Sequence, residues 1–476
     1  VKQLNQSGDK TTVNEDGTLH SHFMSSAEEM KAKLGPALCL AKWQQTSLHL
    51  TTGHTNSCYH PPLHRIDIDA IQDNPSALHN TDHKKQERRD MLDGKKPDGC
   101  SYCWRVEATG NLSDRHYRSG EPWAAETYGQ IVAEDPLTWN VNPAYVEVNF
   151  NSACNLRCSY CSPQFSSAWM QEIKQHGAYP TSNRHNSPEY FAGDRKPIPN
   201  REHNPYVEAF WKWWPDLYPQ LKHFRMTGGE PLMDRNTYRV FDYVLDNPKP
   251  DLHLNVTSNF SQTPEVFDRY MKSVNAITEQ NCVEHFMQFV SVDAYGDRAE
   301  YIRDGLSFLT MAHNAQRYLS KPHRKSLTFI ITMNNMNIGG LQDLLTMILQ
   351  LRLLNNTDRQ MIWFDTPILR SPAWQCLDIM PEAYAWKLQM IVNWMQEHLE
   401  TADMPFQGFK DYEVQRLQRV VDWMREHNRE DKGAQADFYR FFTEHDKRRN
   451  TDFERTFPEM QEWWNECKYW ADNDKK

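Results

Sequence analysis

The sequence predicts an α/β fold, a parallel sheet wrapped by helices, with an irregular region before it and a helical region after it. Three observations predict this. Between about 140 and 370, six strand-like runs (144–150, 221–227, 251–257, 286–292, 326–333 and 360–366) alternate with helical stretches near 166–175, 234–246, 264–273, 298–318 and 339–353, the pattern of a parallel sheet with crossover helices. Short polar motifs follow the first four runs, and parallel barrels collect their active residues at the C-terminal ends of strands. From about 380 strand character disappears, and Val414, Leu417, Val421 and Met424 recur at helical spacing.

The elements divide the chain into residues 1–28, expected as a flexible tail; 29–130, a small module; 140–370, the α/β core; and 371–476, a helical region. The stretch 29–125 is rich in His, Cys, Pro and Gly, with one helical piece near Lys84–Leu92. It offers too few periodic apolar residues for a core of its own, so a metal centre is expected to supply the missing stability. The polar segment 176–206 reads as a substrate lid or a loose insertion. In the C-terminal region, Trp386, Trp394, Trp423, Phe441, Phe442, Trp463, Trp464 and Trp470 read as core aromatics.

Bulk properties narrow the function. The 476 residues carry a formal net charge of −10, so no global field draws nucleic acid or an anionic membrane, although Arg115-His116-Tyr117-Arg118 is a small basic patch. No apolar run approaches the roughly 20 residues of a membrane span, and Val1–Ser26 lacks the features of a signal peptide. Ten cysteines are too sparse for a disulfide scaffold in so long a chain. Cys-x2-Cys pairs without an export signal point to metal in a reducing, cytoplasmic compartment.

The chemistry-bearing motifs begin with Cys154, Cys158 and Cys161, spaced Cys-x3-Cys-x2-Cys after the first core strand. Three thiolates can hold three irons of a [4Fe–4S] cubane and leave the fourth open, whereas an electron-carrying cluster takes four cysteines. The second strand ends Thr227-Gly228-Gly229-Glu230-Pro231; paired glycines permit close backbone approach, and a strand-end carboxylate can receive an ammonium group. The third ends Thr257-Ser258-Asn259 and the fourth Ser291-Val292-Asp293, residues suited to ligand hydrogen bonds and equally to helix capping. Upstream, Cys39, Cys58, Cys100 and Cys103 satisfy either a closed zinc site or an iron–sulfur cluster, with His54, His60 and His64 nearby.

The run Cys154-Asn155-Leu156-Arg157-Cys158-Ser159-Tyr160-Cys161 resembles the signature of the radical S-adenosylmethionine (SAM) superfamily. The resemblance implies a partial (β/α)6 TIM-type barrel and a SAM-binding [4Fe–4S] cluster on the three cysteines. It implies adenine contact at Tyr160, SAM amine binding by Gly228, Gly229 and Glu230, and SAM contact by Ser258 and Ser291. Asn259 and Asp293 would touch SAM or line the substrate pocket, and Arg303 would pair with the SAM carboxylate. The expected reaction is reductive cleavage of SAM to a 5′-deoxyadenosyl radical that abstracts hydrogen from a substrate, with the electron drawn from a reductant such as flavodoxin or ferredoxin.

The upstream pattern, Cys39…Gly53-x4-Cys58…Cys100-x2-Cys103, is similar to a twitch domain placed N-terminal to the barrel, as are Met91–Cys103 and Asp293–Tyr301. It implies an auxiliary [4Fe–4S] cluster for electron transfer, and so a net oxidation or bond formation on a peptide, protein side chain or small metabolite. A radical SAM enzyme acting on RNA and a non-catalytic zinc- or cluster-bound scaffold are the alternatives; neither membrane nor nucleic acid is an expected partner. Cys282, Cys376 and Cys467 read as buried small hydrophobes, and Asp365 and Tyr295 as pocket candidates.

Overall fold

The computed structural model describes the backbone of residues 3–4, 10–13, 19–191, 193–356 and 358–474, and the side chains of 27–189, 193, 195–356 and 358–474. Of the expected tail, residues 1, 2, 5–9 and 14–18 lie outside the described residues, and the helix His22–Leu34 begins within it.

A nine-stranded sheet organises the molecule. Its strands are β1 (Gln45–His49), β2 (His54–Asn56), β3 (His64–Arg65), β4 (Tyr145–Asn149), β5 (His223–Thr227), β6 (Lys249–Ser258), β7 (Val283–Ser291), β8 (Lys325–Ile330) and β9 (Ile362–Asp365). Their order is β9-β8-β7-β6-β5-β4-β1-β2-β3. From β9 to β1 every pairing is parallel, and β2 and β3 continue the sheet antiparallel. The six strands read from the sequence are β4 to β9. What the sequence did not reveal is β1, which lies upstream and pairs in parallel with β4.

Side chains alternate across the sheet as the two-residue period requires. Val146, Val148, Phe224, Met226, Leu254 and Val256 are buried in the main apolar core with residues of the surrounding helices. The register places Tyr145, His223, His253 and His285 in one row of the other face, and Glu147, Arg225 and Asn255 in the next. That second face is polar. Arg225 Nη1 lies 3.4 Å from Glu147, its Nε and Nη2 donate to Thr257, and its guanidinium sits 4.1 Å over Phe289.

Residues 29–125 are more regular than their sequence suggests. They contain the helices Ile68–Asp73, Asp82–Leu92, Ser101–Ala108 and Asp114–Gly120 and most of a second apolar cluster, with Leu38, Leu40, Trp43, Met91 and Trp123. Charged residues complete this core. Lys84 is fully buried and donates to Thr46, Thr55 and the Asn56 carbonyl. Arg88, also buried, donates to Asn80 and the Lys42 carbonyl. Long aliphatic stems pack while the heads find partners, so Asp82–Leu92 buries a face that carries almost no apolar signal.

The polar segment after residue 176 is tied down, and a helix unread in the sequence, Pro205–Leu217, grows out of it. Asn204 caps that helix by accepting from Tyr206 N and Val207 N, and Pro205 occupies its first position, where no amide hydrogen is needed. C-terminal helices run over Glu382–Glu397, Asp411–Glu426, Lys432–Arg449 and Gln461–Asn473. Phe441, Phe442, Trp463 and Trp464 are buried as expected, but Trp386 is exposed, covered on one face by Arg425. The buried pair Arg352–Glu413 (2.6 Å) joins this region to the core. Among the described residues no helix is long and apolar enough to cross a membrane.

Candidate functional site

The cysteine loop leaves the C-terminal end of β4. Cys158 lies on a two-residue antiparallel pairing with Arg303, and Ser159 N donates to Ile302 O (2.8 Å). Trp169, fully buried on the following helix, donates its indole N–H to Cys158 O (2.9 Å). Leu156 N points at Cys154 Sγ (3.4 Å). Burial raises all three thiols, Cys154 to about 12, and the charge of Cys158 raises both Cys154 and Cys161 further. The three sulfurs therefore lie within electrostatic reach of one another.

The Gly-Gly-Glu turn packs directly on this loop. Gly229 N donates to Asn151 O (3.3 Å) and Glu230 N to Ala153 O (2.6 Å). A Cβ on Gly229 would collide with the Ala153 carbonyl, and one on Gly228, whose φ is +122°, with the Asn149 side chain. The glycines thus already serve a protein contact: they let one strand-end loop lie on another. Glu230 is buried, and its two carboxylate oxygens accept from Leu232 N (3.1 Å) and Asn259 N (2.9 Å). Burial pushes its pKa up to about 7 against those bonds. The Ser258 side chain bonds the same carboxylate, which leaves about one of its four lone-pair sites for a further donor.

Ser258 Oγ accepts from Phe260 N (3.0 Å), a turn contact. Asn259 Nδ2 donates to Asn155 Oδ1 (2.9 Å), gripping the cysteine loop from β6. Ser291 ends β7, partly exposed. Asp293, fully buried, accepts from Thr332 N (3.0 Å), from Tyr160 OH (2.9 Å) and from Arg303 Nη2 (3.1 Å), and Arg303 Nε lies 2.9 Å from its other oxygen. Arg303 also bonds the Tyr160 hydroxyl and points Nη1 at Cys158 Sγ (3.6 Å). The structure therefore gathers the buried Asp293 and Arg303 and the half-buried Tyr160 into one unit beside Cys158. The carboxylate that occupies Arg303 here is that of Asp293.

Three supports were not read from the sequence. Arg157 pairs with Asp304 (2.6 Å), which also meets Arg449 (3.1 Å), and Arg449 reaches Glu172 (2.6 Å). The last turn of Lys432–Arg449 thereby braces the cysteine loop from behind. The segment 177–204 is held by Ser182 and Asn183 on Asp437. Within it the buried His185 bonds the backbone of Tyr160 and Cys161, and burial lowers its pKa to about 4. Gln375 Nε2 donates to Ser159 Oγ (2.7 Å). Each partner lies far away in sequence, so only a folded chain reveals it.

Cys39, Cys58, Cys100 and Cys103 line a single cavity together with Lys42, Tyr59, His60, Arg115 and Arg118. Burial raises the thiols, Cys58 and Cys103 to about 12 and Cys100 to about 11. Lys42 and Arg115 place positive charge where thiolates would form. The nearby histidines have other partners: His54 with Thr52 (3.1 Å), His60 with Asp114 (2.6 Å) and His64 with Thr81 (2.9 Å). Gly53 lies under the Tyr206 ring, where a Cβ would clash. Among the described residues no three His, Cys, Asp or Glu side chains are close enough to hold one metal ion. Four sulfurs on one zinc would stand within about 4 Å of each other, given a Zn–S bond of about 2.3 Å. A cubane spreads its ligands around a wider body, and four thiols around one cavity suit that donor set.

The upstream cysteine module reaches the polar face of the sheet. Tyr59, next to Cys58, donates to Glu147 (3.2 Å) and lies 3.3 Å from the Tyr145 hydroxyl. Asp365, at the end of β9, pairs with Arg416 (2.9 Å). Tyr295 is exposed and packs edge-on against Phe308. Cys282, Cys376 and Cys467 are buried.

No protein-family model and no curated protein matches the chain. Among solved structures it is similar to SuiB of Streptococcus suis bound to the precursor peptide SuiA, with 10% identity over 75% of this chain and 68% of that one, at a TM-score of 0.31. SuiB bound to S-adenosylmethionine gives 10% identity over 74% and 69%, at 0.32. A further SuiB structure gives 11% over 81% and 69%, at 0.30. A likeness of this size leaves function to be argued from the residues themselves.

Proposed function

We propose that the chain is a radical SAM enzyme acting on a peptide, a protein side chain or a small metabolite, with a second iron–sulfur centre in an N-terminal twitch-like module. The observation that carries this reading is the docking of the Gly-Gly-Glu turn on the loop that bears Cys154, Cys158 and Cys161, at the C-terminal end of parallel strands. Three thiols on such a loop suit a [4Fe–4S] cluster with one open iron, and the four thiols around the upstream cavity suit a closed one. The chemistry a bound cluster and SAM supply is one-electron reductive cleavage to a 5′-deoxyadenosyl radical, which removes a hydrogen atom from the substrate.

The protein's own part is to hold and to shield. Asn259 and the Gly229–Glu230 backbone fix the cysteine loop between neighbouring strand ends. Glu230, bonded by Leu232, Asn259 and Ser258, retains one acceptor site suited to an ammonium group. The Tyr160–Asp293–Arg303 unit holds the loop around Cys158 and sets a guanidinium beside that sulfur, favouring its thiolate. Trp169 and the buried His185 cover the loop on one side, which keeps water from it.

Anaerobic reconstitution tests the reading. About eight irons per chain, and 5′-deoxyadenosine formed from SAM with dithionite, are expected. A protein that takes up zinc alone and leaves SAM intact would refute it.

A further inference from the structure

A cleft of about 750 Å³ opens at the C-terminal end of β4, beside the cysteine loop. Its floor is apolar and aromatic, formed by Phe150, Ile198, Val207 and Trp211. Phe150 and Trp211 lie parallel, 6.1 Å apart with 4° between their planes. One wall is the start of the helix Arg235–Asp246, which presents Arg235 and Arg239 to the cleft, both exposed.

Neither guanidinium makes an ion pair among the described residues. Asp234, beside Arg235, spends Oδ1 on the amide and side chain of Asn236. Arg239 is held by the Trp211 face, 3.8 Å from the ring centroid, and that indole is fixed in turn by Asn236 (3.0 Å). On the opposite lip Glu208 pairs with Lys212 (2.8 Å) and lies 2.7 Å from His203 Nε2, and Glu202 also lines the cleft. Two like charges four residues apart on a helix are destabilising, and beyond the field of Asp234 at Arg235 and the Trp211 stack on Arg239 no acid among the described residues pairs with them. An anion in the cleft would. The cleft is also continuous with the cysteine loop, since Ser152 N donates to Asn200 Oδ1 (3.4 Å) and both Asn151 and Asn200 line it.

We propose that this cleft binds an acidic segment of a peptide substrate, with carboxylates on Arg235 and Arg239 and an apolar neighbour on the Phe150–Trp211 floor. The proposal rests on the peptide arm of the function proposed above. A nucleic acid carries a charge on every nucleotide and finds only two unpaired cations in the cleft, whereas a peptide with a pair of carboxylates and an apolar neighbour matches both the wall and the floor.

The test is fluorescence anisotropy on the full chain, reconstituted anaerobically. The probes are a short labelled peptide of alternating Glu and Leu, its Gln-for-Glu analogue, its Lys-for-Glu analogue and a single-stranded oligoribonucleotide. The acidic peptide is expected to bind, to weaken with salt, and to quench Trp211. The Gln analogue and the Arg235→Gln/Arg239→Gln variant should each weaken binding about tenfold. Arg239→Lys should weaken it too, because an ammonium does not reproduce the planar stack. Equal binding of the Glu and Gln peptides, no loss in the double variant, no binding of the acidic peptide, or tighter binding of the oligoribonucleotide through the same arginines would each overturn the proposal. Cleavage of SAM by the wild-type chain without peptide is measured in parallel. Its absence would overturn the radical reading while the anisotropy result still decided the cleft.

Discussion

At the scale of single residues, the site is built from groups with more than one partner, and this sets what a substitution does. Cys154→Ala removes a proposed iron ligand, so SAM cleavage should vanish and bound iron should fall to about half. Cys100→Ala should lower iron by a similar amount yet leave SAM cleavage measurable; iron assay and product chromatography separate the two. Asp293→Asn leaves Arg303 buried without its counter-charge, a change worth about 3–5 kcal/mol, read by denaturant unfolding of the metal-free chain. Glu230 carries a pH signature. Its folded pKa of about 7 lies above the unfolded value of about 4.3, so the native state holds the extra proton. Its stabilising contribution is fully present below about pH 4 and is lost as pH rises towards 7. Glu230→Gln should flatten that slope of stability against pH in the metal-free chain, whatever its effect on absolute stability. Sequence spacing gave this scale its outline: the cysteines, Gly-Gly-Glu, Tyr160, Asp293 and Arg303 do converge. It did not show that Arg303 faces Asp293, because a partner ten residues away across a turn leaves no periodic trace.

At the scale of elements, the cysteine loop is as well ordered as the pieces that touch it. Gly229→Ala should push the Gly-Gly-Glu turn off Ala153, so the variant should retain the iron of the upstream site and lose that of the loop, visible as a halved iron content with a folded far-ultraviolet spectrum. Legibility here tracked the kind of patterning. Strands β4 to β9 alternate or run apolar and were readable. The helix Asp82–Leu92 was readable even though its buried face uses Lys84, Glu87 and Arg88 in place of Leu or Val, but its neighbours Ile68–Asp73, Ser101–Ala108 and Asp114–Gly120 are too short to show a helical period. Pro205–Leu217 carried its signal openly in Asn204-Pro205 followed by Phe210, Trp213, Trp214 and Leu217. The preceding polar run hid it.

At the scale of the whole molecule, all seven proposed ligand thiols are raised by burial. A buried thiol above its ordinary range is protonated near neutrality, so loading metal must release protons. Iron uptake at fixed iron and sulfide should therefore rise with pH between mildly acidic and mildly alkaline buffer, and a pH-independent content would contradict two thiolate-bound centres.

Strand β1 has a consequence for how the chain can be cut. It lies between β4 and the β2–β3 hairpin, so the first strand of the core is an interior strand only while residues 45–65 are attached. Removing them would bare the amide and carbonyl row of β4 along its whole length, in register with any other extended chain. A fragment starting near residue 140 would then be a template for pairing with its own copies, and light scattering should report association where the intact chain gives none. What reads in sequence as an appended module is, for the sheet, its protective border.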